Sequence, residues 1–186
     1  MESKTILFHS NKEKISQEFV DGKIPLITSQ NNNDDEWLGT GMYFWDNKGN
    51  ANWWNKKQRN KNQAETYKII NVNVNTMCLL DLTDFEIYQE MQRIWLSLCH
   101  MIHANPEKPL GNKLDMLFSA FSDWTNKYPL IKVYGKYNYT PNNGFFTFDY
   151  TSMHSEPTIA VKCIYNVKNK DCILEKDFLK EEQIRE

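Results

Sequence analysis

The chain has 186 residues, a formal net charge of −2, and 40% hydrophobic and 25% charged residues. That length suits a single domain, 1–186, large enough to bury a core without disulfides or metal. The near-neutral balance excludes a global field towards nucleic acid or an anionic membrane, so any such attraction must come from a local patch.

In chain order, "KTILFHS" predicts a short apolar strand that ends in His9 and Ser10. "NKEKISQEFVDG" predicts a helix with Ile15, Phe19 and Val20 on one face, Asn11 capping its start and Gly22 its end. "TSQNNNDDE" is a polar loop. It leads into "EWLGTGMYFWDNKGNANWWNKKQ", where Gly39 and Gly41 flank Thr40 among large aromatics. Glycines so closely spaced permit positive φ or a close backbone approach to a ligand. Tyr43 and Phe44 follow in an extended run whose side chains alternate faces. A helix is predicted to start near residues 47–50 and to carry Lys56, Lys57, Arg59 and Lys61 on its outer part.

"TYKIINVNVNTMCLLDL" predicts one long strand or two. "DFEIYQEMQRIWLSLCHMIHAN" is the clearest helix, with Ile87, Met91, Ile94, Trp95, Leu98 and Ile102 at helical spacing. "NKLDMLFSAFSDWTNKY" predicts a second. After Pro129 the strands "LIKVYGKY", "GFFTFDY", "TIAVKCIYNV" and "CILEKD" are expected, then a terminal helix or frayed tail in "EKDFLKEEQIRE". The order implies an α+β fold with a mostly antiparallel sheet. Cys78, Cys99, Cys163 and Cys172 are read as buried reduced thiols. No apolar run approaches the ~20 residues of a membrane span. With no N-terminal targeting segment apparent, a cytoplasmic protein is expected.

Four groups of residues could carry chemistry. Tyr43 and Trp53 could wall a slot for a flat ring, where a cationic ring would gain about 0.5–2 kcal/mol from the π faces. The same aromatics could equally be core, and for Phe44 and Trp54 the core reading is preferred. "CHMIH" offers Cys99, His100 and His103, but zinc needs three or four ligands and no partner pair stands elsewhere, so no metal is expected. His9 sits beside Ser10 at a strand end, a common place for ligand contacts. His154 and Glu156 lie in a polar stretch before an apolar strand, as exposed loop groups or as placed catalytic ones.

These residues bear a resemblance. "ILFHS" resembles the L-[YF]-H-[GS] strand of ADP-ribosyltransferases of the H-Y-E type, the group that includes the poly-ADP-ribose polymerases. "LGTGMYFWDNKGNANWW" resembles their G-x-G-x-Y-F…S-A-N-Y segment, one residue shorter between Phe44 and Ala51. "FDYTSMHSEPTIAVKC" is similar to their late strand with the catalytic glutamate, although Pro157 and Thr158 separate Glu156 from the apolar run. Bacterial ADP-ribosyltransferase-like toxins share a W-L-G-x-G-x-Y-F pattern.

The resemblance implies a split antiparallel β-sheet core with flanking helices and a helical insertion. It implies NAD as substrate and assigns roles. His9 would bond an NAD ribose, the Ser10 backbone would meet the nicotinamide amide, and Gly41 would shape the turn. Tyr43 and Trp53 would wall the nicotinamide slot, Asn50 would bond its amide, and Glu156 would be the catalytic carboxylate. The chemistry needs such groups. Breaking the nicotinamide–ribose bond creates an oxocarbenium-like centre that a carboxylate stabilises, while aromatic walls and a histidine hold the reactants in place.

The implied activity is ADP-ribosyl transfer to a macromolecular acceptor (RNA, DNA or protein), as in a small bacterial toxin or phage-defence effector with a neutralising antitoxin. Two alternatives stand beside it. One is an inactive module of the same fold that binds NAD or ADP-ribose. The other is a nucleic-acid-binding protein built on the basic helix at 56–61.

Overall fold

The computed structural model describes residues 3–29, 37–137 and 158–180. Among these, strands β1 (Lys4–Lys12), β2 (Met42–Trp45), β3 (Tyr67–Asn75), β4 (Leu79–Asp81), β5 (Leu130–Lys136), β6 (Val161–Val167) and β7 (Ile173–Phe178) form one sheet. Its order is β4-β5-β6-β2-β1-β3-β7, antiparallel throughout except for the parallel β4–β5 pair. The helices are α1 (Glu13–Val20), α2 (Lys48–Lys61), α3 (Phe85–Ile102), α4 (Leu110–Ala120) and α5 (Trp124–Lys127). The mixed architecture with a mostly antiparallel sheet agrees with the expectation, and α3, α4 and α5 are inserted between β4 and β5.

Strand alternation divides the core between two sheet faces. Leu7, Met42, Phe44, Val72, Tyr165 and Val167 fill the first face, which Phe19 of α1 covers. Leu38, Trp95, Leu114, Trp124, Ile131 and Ile164 fill the second, beneath α3, α4 and α5, and Tyr43 and Trp45 pack there too. Helix α2 also lies on the second face, against β1, β2 and β3. The side chain of Asn47 caps its start by accepting from the Asn50 amide. Asp84 caps α3 in the same way, accepting from Glu86 and Ile87.

Several local expectations change. β1 continues through Asn11 and Lys12, which pair with Lys68 and Tyr67, so sheet pairing takes Asn11 from the predicted cap position and Lys12 precedes α1. Gly22 does follow the helix, with φ +76°. The segment after Tyr67 forms two strands. The second predicted helix breaks at Phe121, which turns extended before α5. Ile102 is half exposed, and Met91, Trp95, Leu98 and Cys99 make the buried stripe of α3. All four cysteines are free, but Cys78 is exposed, because it lies in the turn between β3 and β4. β7 matches the predicted strand "CILEKD" and runs on to Phe178, so residues 175–178 are strand rather than the start of a terminal helix. "GFFTFDY", His154 and Glu156 lie outside the described residues.

The glycine turn before β2 is held by a polar network centred on a buried lysine. Lys168, at the end of β6, has a side chain only 6% exposed. Its ammonium donates to the carbonyl of Leu38 at 2.9 Å, to the carbonyl of Thr40, and to Asp115 Oδ1 at 3.2 Å. The Asp115 carboxylate also accepts from the Thr40 amide and hydroxyl. The Tyr43 hydroxyl accepts from the Leu38 amide and donates to the Gly39 carbonyl. This packing leaves no room for a Cβ. At Gly39, φ +67°, one would sit 2.5 Å from Asp115 Cγ; at Gly41, φ +149°, one would sit 2.7 Å from Asn166 Cγ and overlap its Oδ1.

Gly41→Ala combines backbone strain with a clash and is expected to cost at least about 2 kcal/mol. Gly22→Ala, strained but in open space, is expected to cost about 1 kcal/mol. Urea unfolding of the two variants checks the order; equal losses would show that the Asn166 contact is not tight.

Candidate functional site

β6, β2 and β1 are neighbours in the centre of the sheet. They bring together parts of the three sequence segments singled out for chemistry: β1 holds His9 and Ser10, β2 holds Tyr43, and β6 holds the end of the third segment, Val161 to Cys163. His9 Nδ1 lies 2.6 Å from the Tyr43 carbonyl oxygen and must donate the proton it shares. Nε2 is then an acceptor, and the Asn11 amide donates to it at 3.3 Å. The imidazole rests against Phe44, centroids 5.5 Å apart. Burial pushes its pKa down to about 4, partly opposed by the Tyr43 bond, so His9 is neutral at physiological pH.

The predicted residues do not share one wall. His9 packs beside Phe44 on the first face. Tyr43 and Ser10 belong to the second, where the buried Ser10 hydroxyl accepts from Asn55 of α2 at 3.0 Å. Gly41 is buried in the turn against Asn166. Asn166 is fully buried, and among the described residues its Oδ1 has no hydrogen-bond partner. Phe44 is core, as preferred, at 1% exposure. Trp54 is partly covered and meets Trp45. Trp53 is 42% exposed.

Around Trp53 the chain assembles an aromatic surface that the sequence did not make visible. Its ring lies 6.1 Å from that of Trp54 and 6.0 Å, edge-on, from that of Tyr137. Tyr137 in turn stacks on Trp37 and tilts against Trp45. Burial raises the Tyr137 phenol to about 12, so it stays protonated. Two ammoniums flank the indole: Lys57 Nζ stands 5.1 Å and Lys162 Nζ 5.9 Å from its centroid. Lys162 also donates to Asn50 Oδ1 at 3.0 Å and to the Ile159 carbonyl at 3.3 Å. Asn50 and Trp53, both predicted, are thus joined by a β6 lysine that was not. The signal for it was one charge inside the apolar run "IAVKCIYNV".

The first face continues from His9 and Phe44 across paired Tyr165, Lys132 and Asp81. Lys132 and Asp81 form a 2.8 Å ion pair. The neighbouring Cys163 thiol is raised to about 11, chiefly by burial, and Tyr165 is raised for the same reason. A thiol so rarely ionised is a poor nucleophile, so these groups serve the sheet. At the far end of α3 a shallow recess of about 330 Å³ is lined by Cys99, His100 and His103. Among the described residues no three His, Cys, Asp or Glu side chains converge on a metal position. Nor is any described helix long and apolar enough to cross a membrane.

In comparison with known proteins, no family model, curated protein or solved structure matches the chain.

The His9 environment sets a pH dependence. The imidazole titrates near 4 when folded and near 6.5 when unfolded, so the unfolded chain binds more protons between those values. Stability from neutral His9 is complete above about pH 6.5 and is lost as pH falls towards 4, at up to about 1.4 kcal/mol per pH unit. The stability gap between wild type and His9→Gln should therefore narrow from about pH 7 to about pH 4.5. A gap independent of pH, measured by urea unfolding, would place His9 in a solvated setting.

Proposed function

We propose that this chain is an NAD-dependent ADP-ribosyltransferase acting on a macromolecular acceptor, in the manner of a small bacterial toxin or phage-defence effector. One observation carries the reading. The histidine and tyrosine of the two resembling segments lie on adjacent central strands joined by the His9–Tyr43 hydrogen bond, and Glu156 precedes the third strand of that trio by five residues. The exposed ring of Trp53 and the amide of Asn50, both on α2, suit a flat heteroaromatic carboxamide.

The residues have separable tasks in this reading. The neutral His9 ring has one acceptor, Nε2, which a ribose hydroxyl would reach from the first face by displacing the Asn11 amide that donates to it at 3.3 Å. Trp53 supplies a π face to the nicotinamide ring, and Asn50 an amide to pair with its carboxamide. The Glu156 carboxylate stabilises the positive charge that grows as the nicotinamide bond breaks. Tyr43 holds the Gly39 turn through its hydroxyl, so its ring acts from the sheet side.

Lys162 favours a second reading, a nucleotide-binding module without catalysis. Its ammonium stands against Asn50 and Trp53, where the first reading places a cationic ring. A like charge there opposes both nicotinamide in NAD and an oxocarbenium centre, and it suits an anionic nucleotide such as ADP-ribose.

Nicotinamide release from NAD in the presence of cell lysate separates the two. Under the transferase reading Glu156→Gln slows release about a hundredfold or more with NAD binding retained. The absence of release by the wild type with every acceptor tried, together with tighter binding of ADP-ribose than of NAD, would sink the transferase and leave the module.

A further inference from the structure

We propose that the Trp53 surface, flanked by Lys57 and Lys162, binds single-stranded nucleic acid, with an unpaired base stacked on the indole and neighbouring phosphates on the two ammoniums. As the acceptor surface of a transferase it rests on the reading above; as a binding surface it does not.

The indole is both open and fixed. It is 42% exposed, yet Trp54 and Tyr137 brace it from two directions, so little freedom is lost when a base stacks on it. The two cations come from different elements. Lys57 of α2 reaches over Trp53 and Trp54, and Lys162 of β6 over Trp53 and Tyr137. The hydrogen bonds of Lys162 go to the neutral oxygens of Asn50 and Ile159. Among the described residues neither ammonium has a carboxylate partner. Among those residues nothing neutralises either charge, which suits an anionic ligand.

The charge continues along the helix. α2 carries four lysines and one arginine with no acidic residue, in a chain whose net charge is −2. Lys56, Arg59 and Lys61 are exposed beyond Lys57. Among the described residues Asp46, which accepts from the Asn50 amide at 3.3 Å, is an acidic group beside this surface, and the α2 cations outnumber it. A mononucleotide would use the ring and one or two ammoniums; a run of cations leading away from the ring suits a chain of phosphates. A paired duplex shields its base faces, whereas a single strand offers them to an exposed indole.

The test is fluorescence anisotropy of the full chain, without NAD, against labelled oligo-dT and oligo-U single strands and a duplex of equal length. Single strands are expected to bind at low salt and to weaken about tenfold between about 50 and about 200 mM salt, as release of counterions from two to three phosphates implies. Trp53→Ala should weaken binding about tenfold or more, while Trp53→Phe keeps most of it. Lys57→Ala and Lys162→Ala should each weaken binding and flatten the salt dependence, and Lys23→Ala should change nothing. Circular dichroism checks that each variant is folded. A preference between oligo-dT and oligo-U assigns the strand to DNA or RNA, and equal binding supports a surface that reads neither sugar.

No binding of single strands at low salt overturns the proposal. So does binding that folded Trp53→Ala leaves intact, equal binding of the duplex, or displacement by poly-glutamate as effective as by oligonucleotide. Nicotinamide release is measured separately. Binding without release removes the transferase and keeps the surface; release with no strand binding does the reverse.

Discussion

An ammonium almost withdrawn from water must be given other oxygens, and the position of Lys168 follows from that need. The carbonyls of Leu38 and Thr40 and the carboxylate of Asp115 supply them. One cation thereby fastens the end of β6 to the glycine turn and to α4. The turn can come close enough only because Gly39 and Gly41 have no side chain to interpose. Tyr43 closes the same turn from the sheet, so β2 enters beside β6 with its register fixed. Every group discussed on the second face stands on that arrangement.

The sheet then divides the labour. Its first face is apolar near α1 and ends in paired or strongly protonated groups, Lys132 with Asp81 and the Cys163 thiol, which suit cohesion. Its second face carries α2 and with it the exposed ring, the amide and the lysines. His9 lies on the first face but is bonded to the backbone of β2, and its neutral state reflects burial there. Chemistry at Trp53 turns on which charge governs the space around it. In the proposed transferase a growing cation needs the carboxylate assigned to Glu156, whereas Lys162, beside Trp53, opposes a cation and attracts phosphate. The two requirements are compatible if the carboxylate serves the ribose and the ammonium serves an anionic acceptor.

Much of the fold was legible. Strand and helix periodicities located the main elements, the start of α2 fell within the expected 47–50, and Gly22 marked the end of α1 by chemistry that acts within a few residues. Phe44 could be assigned to the core because alternation in a four-residue strand leaves little choice. Legibility failed where partners are distant in sequence. Asn11 looks like a cap until Lys68 claims it for the sheet, and Ile102 looks buried until the last turn of α3 runs out past its neighbours. Tyr137 and Lys162 flank Trp53 only because β5 and β6 pair, and nothing local to either announces that contact. Lys168 and Asp115, 53 residues apart, are a pair of the same kind. His9, Asn50 and Trp53 were legible as chemical candidates, but their division between faces depends on register, which the sequence does not state.

The order of the strands has a consequence for how the chain reaches this state. β6 alone joins β5 to β2, so everything made before it amounts to two separate pieces of sheet, β4-β5 and β2-β1-β3. Neither piece can bury both faces until a strand near the C-terminus is threaded between them. The pairings of β2 and β5 with β6 span long stretches of chain, and closing such loops costs entropy before any contact repays it. Assembly is thus concentrated in one late step, and a ribosome-bound chain that ends before β6 holds the Trp53 helix without the lysine that will flank it.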